Sequence, residues 1–148
     1  MSIVAIVVDD SPEDRFIARH VLSRCPAIRE VHEAADGSEM YAIIADSSQF
    51  SQRYGPHPPP TLILLDINMP RMSGISLLER IAELQRRGEV PENAMFVVLM
   101  LTSSLDQRDR TRTMEFACVK DYVEKPIDPE KLNKLLASHY PEIFESLS

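Results

Sequence analysis

Three aspartates, one threonine and one lysine stand where the apolar runs of this sequence stop. These residues are Asp9, Asp10, Asp66, Thr102 and Lys125. If folding gathers the carboxylates, each pair about 4 Å apart repels by about 4 kcal/mol at an effective dielectric constant near 20, so cations must lie among them. The lysine supplies one positive charge, and Mg²⁺, which prefers oxygen ligands, would supply more. Such a site attracts a phosphoryl group.

A carboxylate in a site of this kind can attack phosphorus and form an acyl phosphate. The nucleophile would be Asp66, which would share Mg²⁺ with Asp9 or Asp10 and with a backbone carbonyl just past Asp66. Lys125 and Thr102 would then bind phosphoryl oxygens. Each motif alone is more often a turn or surface feature, but their joint position at strand ends favours a functional site.

Five apolar or β-branched runs predict the strands that would position these residues. The runs at Ile3–Val8 and Leu62–Leu65 lack polar alternation, which is typical of strands buried on both faces. The remaining predicted strands are Arg29–Ala35, Met95–Leu101 and Val119–Glu124.

Helix signals follow every predicted strand. Ser11 with Pro12, and Asp128 with Pro129, have the composition of a helix N-terminus. The predicted helices begin at Pro12, near Met40, at Gly74, at Leu105 and at Pro129, and a proline-rich connector runs from Asp46 to Pro60. In the first helix, five residues at helical spacing are expected on one apolar side: Phe16, Ile17, His20, Val21 and Leu22. His20 is expected to be a packed core or boundary residue and not a metal ligand. Five strands alternating with five helices predict a doubly wound α/β fold with a parallel sheet.

The overall composition excludes several classes of function. The 148 residues carry 23 acidic and 16 basic side chains, a formal net charge of -7, and no dense basic stretch, so direct nucleic-acid binding is not expected. No apolar run approaches a membrane span, and no signal peptide is apparent, so a cytoplasmic protein without membrane contact is expected. Cys25 and Cys118 lack metal-ligand spacing and are expected to be reduced, buried thiols.

Four sequence motifs together resemble the response-regulator receiver domain, the CheY-like module of two-component signalling. The motifs are Val7-Val8-Asp9-Asp10-Ser11, Leu64-Leu65-Asp66-Ile67-Asn68-Met69-Pro70 with Gly74, Leu101-Thr102-Ser103, and Asp121-Tyr122-Val123-Glu124-Lys125-Pro126. They span nearly the whole chain. The resemblance implies a flavodoxin-like, CheY-like three-layer sandwich with a five-stranded sheet in the order 2-1-3-4-5.

The resemblance also implies roles for individual residues. Asp66 would be the phospho-acceptor, with Asp9, Asp10 and the main-chain carbonyl of Asn68 completing the Mg²⁺ site. Thr102 and Lys125 would contact the phosphoryl group, and Tyr122 would swing inward when Thr102 moves. These site residues are Asp9, Asp10, Asp66, Asn68, Thr102, Tyr122 and Lys125, and the bond before Pro126 would be cis.

By this resemblance, a histidine kinase or a histidine phosphotransfer protein would donate the phosphoryl group. The fourth helix, fifth strand and fifth helix would then change shape to bind an unknown downstream protein, and the same face is a candidate homodimer contact. Residues 1–140 would form the receiver domain, followed by a short tail at 141–148 and no output domain.

Two alternatives share the same residues. One is a small Mg²⁺-dependent phosphohydrolase with Asp66 as nucleophile, which would need a general acid or base that no predicted strand end supplies. The other is an interaction module that works without phosphorylation.

Overall fold

The computed structural model describes residues 3–36, 38–39, 61–66, 74–87, 96–102, 115–116 and 119–141. Its centre is a sheet of five strands in the order β2-β1-β3-β4-β5, and every neighbouring pair is parallel. The strands are β1 (Ile3–Val8), β2 (Ile28–Ala34), β3 (Thr61–Asp66), β4 (Phe96–Thr102) and β5 (Val119–Glu124). The predicted sheet and strand order are confirmed.

The two strands that carry the first and second motifs, β1 and β3, are deeply buried. All six residues of β1 and all six of β3 are buried, whereas β2 and β5, at the two edges of the sheet, are partly or fully exposed at most of their positions. A parallel strand with helices over both faces has no solvated side, which explains why its sequence is continuously apolar.

Three helices flank the sheet in the described part of the chain: α1 (Pro12–Ser23), α2 (Gly74–Arg86) and α3 (Pro129–His139). The β1–α1–β2 connection runs one way across the sheet and β3–α2–β4 runs the other. Right-handed crossovers therefore place α1 and α2 on opposite faces. Both capping predictions hold, because Ser11 Oγ accepts from the Asp14 N–H and Asp128 Oδ1 accepts from the Lys131 N–H.

Alternate residues of the central strands face the layer formed by α1 and α3. A core cluster joins Ile3, Ala5 and Val7 of β1 to residues of these two helices, including Leu22 and Leu136. On α2, three fully buried side chains lie outside this cluster, as expected for a helix on the other face: Leu77, Leu78 and Ile81.

The expectation for the apolar side of the first helix is confirmed for Val21 and Leu22 and wrong for Phe16, Ile17 and His20. Phe16 is 70% exposed and Ile17 is 40% exposed, and the ring of His20, also exposed, stacks on Phe16. The buried positions of α1 are Ala18 and Leu22. These two residues are four apart and so form one stripe, which lies roughly opposite Phe16 around the helix.

Several sequence-based expectations fall outside the described residues. They concern the helix near Met40, the connector Asp46–Pro60, most of the helix predicted at Leu105–Phe116, and Cys118. Cys25 is a free thiol and is half-buried. Among the described helices, none combines the length and the apolar composition that a bilayer crossing requires.

Candidate functional site

The strand register brings the ends of neighbouring strands to one row. Val8 of β1 pairs with Leu65 of β3, so the next residues, Asp9 and Asp66, lie side by side. On the other side of β3, Asp66 pairs with Leu101 of β4. Thr102, the last residue of β4, pairs with Glu124, which precedes Lys125. Parallel strands thus deliver the predicted residues to the carboxyl edge of the sheet, where α/β folds bind their ligands.

Three carboxylates meet at this edge. Asp9, Asp10 and Asp66 each offer an oxygen, and these oxygens all lie within 4.8 Å of one another. Asp9 is fully buried, Asp66 is 5% exposed, and Asp10 is exposed. The carboxylate cluster, as we call these three residues, therefore combines two desolvated acids with one that faces solvent.

The turn between β1 and α1 holds Asp9 in place. Asp9 Oδ1 accepts a hydrogen bond of 2.9 Å from the Ser11 N–H, and the Asp9 carbonyl accepts one of 2.6 Å from Arg15 Nη1. Ser11 also caps α1, since its Oγ accepts from the Asp14 N–H at 3.3 Å. The helix N-cap and the buried carboxylate therefore depend on the same short turn.

The Lys125 ammonium contacts three carboxylates. Its Nζ lies 2.7 Å from Asp9 Oδ2, 3.0 Å from Asp14 Oδ2 and 3.2 Å from Asp66 Oδ2. Lys125 follows β5, which is separated from β3 by β4, so its long side chain extends along the sheet edge to reach Asp66. The peptide bond between Lys125 and Pro126 is cis.

Asp9 Oδ2 is a buried oxygen with an incomplete set of partners. It lies 2.7 Å from Lys125 Nζ in an ion pair, and no other described residue donates a hydrogen bond to it. A buried carboxylate oxygen without a donor is unfavourable unless a cation shares it. A hard cation can share this oxygen with the Lys125 ammonium.

Burial and the neighbouring opposite charges act in opposite directions on the pKa of Asp9 and on the pKa of Lys125. Desolvation raises the pKa of Asp9 above its ordinary value of 3.8, even though the Lys125 ammonium and the Ser11 N–H oppose the shift. Desolvation would lower the pKa of Lys125, but its contacts with Asp9, Asp14 and Asp66 outweigh that effect and raise it. Lys125 is therefore a permanent cation at any physiological pH.

The charge balance of the site favours a divalent cation. Four carboxylates, those of Asp9, Asp10, Asp14 and Asp66, face one ammonium, which leaves a formal charge of -3 when all are ionised. A divalent cation reduces this charge to -1. Carboxylate oxygens are the ligands that Mg²⁺ prefers, and Mg²⁺ typically binds through one or two of them while keeping waters. The residues present therefore fit a magnesium ion.

The structure describes only part of the remaining set of predicted site residues, Thr102, Asn68 and Tyr122. Thr102 ends β4 at the expected edge, but its side chain and all of Asn68 fall outside what the structure describes. Tyr122 is half-buried on β5 and lines a groove of about 260 Å³ between β5 and α3. The groove is also lined by Asp121, Val123, Glu124, Lys131, Lys134, Leu135 and Ser138.

Sequence reasoning missed the contact between Asp14 and Lys125. From the sequence, Asp14 is simply an acid in the first turn of the helix that begins at Pro12, where negative charge stabilises the helix dipole. The spacing in the sequence could have indicated this contact. Asp14 lies four residues after Asp10, which is about one helical turn from the end of β1. That spacing keeps its carboxylate at the sheet edge, within reach of a lysine that follows another strand.

Comparison with known proteins agrees with this geometry. Residues 5–137 match the family model described as the response regulator receiver domain. Over 130 residues the chain is 30% identical to hybrid signal transduction histidine kinase D of Dictyostelium discoideum, a match that covers 87% of this chain and 7% of that protein. It is 28% identical over 134 residues to a 14.6 kDa protein of Leptolyngbya boryana, covering 90% of this chain and 87% of that one.

Solved structures share the fold. A response regulator receiver protein from Dyadobacter fermentans superimposes with a TM-score of 0.73 at 22% identity, covering 94% of this chain and 98% of that one. The Vibrio cholerae chemotaxis protein CheY4 gives a TM-score of 0.67 at 24% identity, covering 94% and 99%. By its sequence match and its fold, the chain belongs to the response regulator receiver domain family of two-component signalling.

Proposed function

We propose that this chain accepts a phosphoryl group on Asp66 and uses the modified state to control its binding to another protein. The observation that carries the proposal is the convergence of Asp66 with Asp9, Asp10 and Lys125 at one edge of the sheet. Asp66 is nearly buried, and Lys125 Nζ lies 3.2 Å from its Oδ2, so charge transferred to Asp66 meets a cation already in place.

The transfer is a substitution at phosphorus. An oxygen of Asp66 attacks the phosphorus of a phosphohistidine on a histidine kinase or a histidine phosphotransfer protein. A P–O bond forms, the P–N bond breaks, and the departing imidazole keeps the bonding electrons and takes a proton from solvent. When water later attacks the acyl phosphate, the P–O bond to Asp66 breaks, inorganic phosphate leaves, and the carboxylate is restored. The domain thus promotes only its own phosphorylation and dephosphorylation.

In this proposal Asp9, Asp10 and Asp66 hold Mg²⁺ together with the main-chain carbonyl of Asn68. When bound, the ion screens the charge between the carboxylates and the phosphoryl oxygens. The Lys125 ammonium pairs with one phosphoryl oxygen and the Thr102 hydroxyl donates to another. Support comes from the shared sheet edge and from the buried Asp9 oxygen that lacks a hydrogen-bond donor.

The signal would leave the site through Thr102 and Tyr122. Movement of Thr102 toward the phosphoryl group would draw Tyr122 inward. That would alter the face formed by the predicted fourth helix (Leu105–Phe116), β5 and α3, which we propose binds the downstream protein and is the candidate homodimer contact. The position of Tyr122 in the groove between β5 and α3 supports this role.

We further propose that the receiver domain spans residues 1–140, with residues 141–148 outside it, and that it works in the cytoplasm, where ATP-dependent kinases generate the phosphoryl donors. A hydrolase has less support. In the described part of the chain, His20 lies on the exposed face of α1, His32 lies on β2 beside Glu30, and His139 pairs with Asp121. None of these three is among the residues gathered at the carboxylate cluster.

The proposal is tested by incubating the protein with acetyl phosphate and Mg²⁺ and measuring intact mass. The wild-type chain should gain one phosphoryl group, which hydroxylamine removes, as expected for an acyl phosphate. Asp66→Asn should gain none while keeping its circular dichroism spectrum. Asp121→Asn is the matched control, because that half-exposed carboxylate pairs with His139 and should label like the wild type. Full labelling of Asp66→Asn would overturn the proposal.

A further inference from the structure

We propose that Asp14 is a positioning residue that competes with the phosphoryl group for the Lys125 ammonium, and so sets how tightly the site holds that group. The inference rests on the proposed phosphorylation of Asp66 and extends it to a residue in α1. Asp14 Oδ2 accepts from Lys125 Nζ at 3.0 Å, and no role for this acid follows from the carboxylate cluster itself.

The Lys125 ammonium can donate only a limited number of hydrogen bonds. A lysine ammonium has three N–H groups and no acceptor. Two of them are used in hydrogen bonds, to Asp14 Oδ2 at 3.0 Å and to Asp66 Oδ2 at 3.2 Å, and the ammonium also lies 2.7 Å from Asp9 Oδ2. A phosphoryl oxygen on Asp66 must therefore compete with three carboxylates for this one cation.

Asp14 differs from the other two carboxylates in its exposure. Its side chain is 39% exposed, compared with 0% for Asp9 and 8% for Asp66. Water can solvate Asp14 when the ammonium turns away, so giving up this contact carries little desolvation penalty. While the contact persists, however, it draws the ammonium toward the solvent side of the site and occupies a donor.

The backbone of Asp14 is held by the cap of α1. Its backbone N–H donates to Ser11 Oγ at 3.3 Å, and Ser11 N–H donates to the buried Asp9 Oδ1 at 2.9 Å. The cap of α1 thus links the competing acid to the turn that carries Asp9. The β1–α1 junction therefore fixes the backbone position from which the Asp14 side chain reaches Lys125.

Removing the charge of Asp14 should strengthen binding of a phosphoryl analogue. The probe is beryllofluoride at saturating Mg²⁺, with its dissociation constant measured by isothermal titration calorimetry. Because a partly exposed ion pair contributes modestly, Asp14→Asn and Asp14→Ala should each bind the probe about two- to fivefold more tightly than the wild type. Asp14→Glu, which retains the carboxylate, should stay close to the wild-type value.

Glu13→Gln is the matched control. Glu13 lies in the same first turn of α1 and loses the same charge, but it is exposed and forms no salt bridge identified among the described residues. It reports the effect of net charge and of the helix dipole alone. Affinities for Asp14→Asn and Asp14→Ala no tighter than that of Glu13→Gln would overturn the inference. A gain in affinity with Asp14→Glu as large as with Asp14→Asn would also overturn it.

The two proposals fail in different ways. If Asp66→Asn binds beryllofluoride as well as the wild type does, the proposed function is wrong. If binding requires Asp66 but does not respond to Asp14 variants beyond the Glu13 control, only the inference about Asp14 is wrong. Raised ionic strength should also shrink the difference between Asp14→Asn and the wild type, since a half-exposed pair is screened by salt.

Discussion

Lys125 Nζ lies 2.7 Å from Asp9 Oδ2, and the Asp9 side chain is fully buried. The pair joins the turn after β1 to the turn after β5, across the carboxyl edge of the sheet. A buried ion pair is weak evidence for stability, because desolvation of both charges opposes their attraction. Here the single Lys125 ammonium contacts several carboxylates. Removing Lys125 should therefore lower the free energy of unfolding, whereas neutralising Asp9 should raise it.

Replacing the cation should be costly. Lys125→Ala leaves Asp9, Asp14 and Asp66 without their shared ammonium, and we expect a loss of about 3 kcal/mol in the free energy of unfolding near pH 7. Urea denaturation without divalent cations measures it. Lys134→Ala is the control, because Lys134 is 77% exposed and pairs with exposed Glu130, so its loss should stay within about 0.5 kcal/mol. Equal effects of the two variants would contradict this account of the site.

Neutralising Asp9 should have the reverse effect. Burial raises the pKa of Asp9, so its folded-state pKa exceeds the unfolded value. Ionisation of Asp9 therefore lowers the free energy of unfolding. This loss is absent below the unfolded-state pKa and grows as the pH rises from the unfolded-state pKa to the folded-state pKa. Above the folded-state pKa the loss is complete. Asp9→Asn should therefore be more stable than the wild type near pH 7, by about 1 kcal/mol or roughly 3 °C in Tm.

The advantage of Asp9→Asn should disappear on acidification to about pH 3, where the wild-type Asp9 is itself neutral in both states. Thermal unfolding across this pH range, in the presence of a chelator, makes the comparison. A variant less stable than the wild type near pH 7 would show that the contact with Lys125 outweighs the desolvation of Asp9.

Mg²⁺ should stabilise the wild-type chain. Ligand binding to the folded state alone adds about 2.7 kcal/mol at a concentration one hundred times the dissociation constant. Asp9→Asn should lose most of this gain, because it removes an oxygen of the carboxylate cluster, whereas Asp121→Asn should keep it. Differential scanning calorimetry with and without MgCl₂ gives the shifts. An equal Mg²⁺ response in Asp9→Asn and the wild type would exclude Asp9 as a ligand.

Core packing around β3 should dominate stability away from the site. Leu64 is fully buried between the helical layers, and Leu64→Ala should cost about 2–5 kcal/mol through lost burial and the cavity left behind. Phe16→Ala removes a larger side chain, but one that is 70% exposed, so its effect should stay within about 0.5 kcal/mol. Urea denaturation of both variants makes the comparison, and a cost for Phe16→Ala near that of Leu64→Ala would mean that Phe16 packs in solution.

Much of the sheet was predictable because burial on both faces leaves a local mark. The runs Ile3–Val8 and Leu62–Leu65 contain no polar residue, and both are strands whose residues are all buried. The helix starts at Ser11 and Asp128 were equally predictable, since a cap is a contact between residues three apart. The packed side of α1 was not, because Phe16, Ile17 and Leu22 are all apolar and only the position of the sheet selects among them.

The sequence by itself determined the strands, their likeness to a family, and which acids and which lysine stand at strand ends. Each of these depends on residues close together in the chain. The tertiary structure alone decided that Lys125 would be shared by three carboxylates and that Asp14 would be one of them. The reason is physical: that contact joins the first turn of α1 to the turn after β5, 111 residues later, and its existence depends on the register of every strand between them.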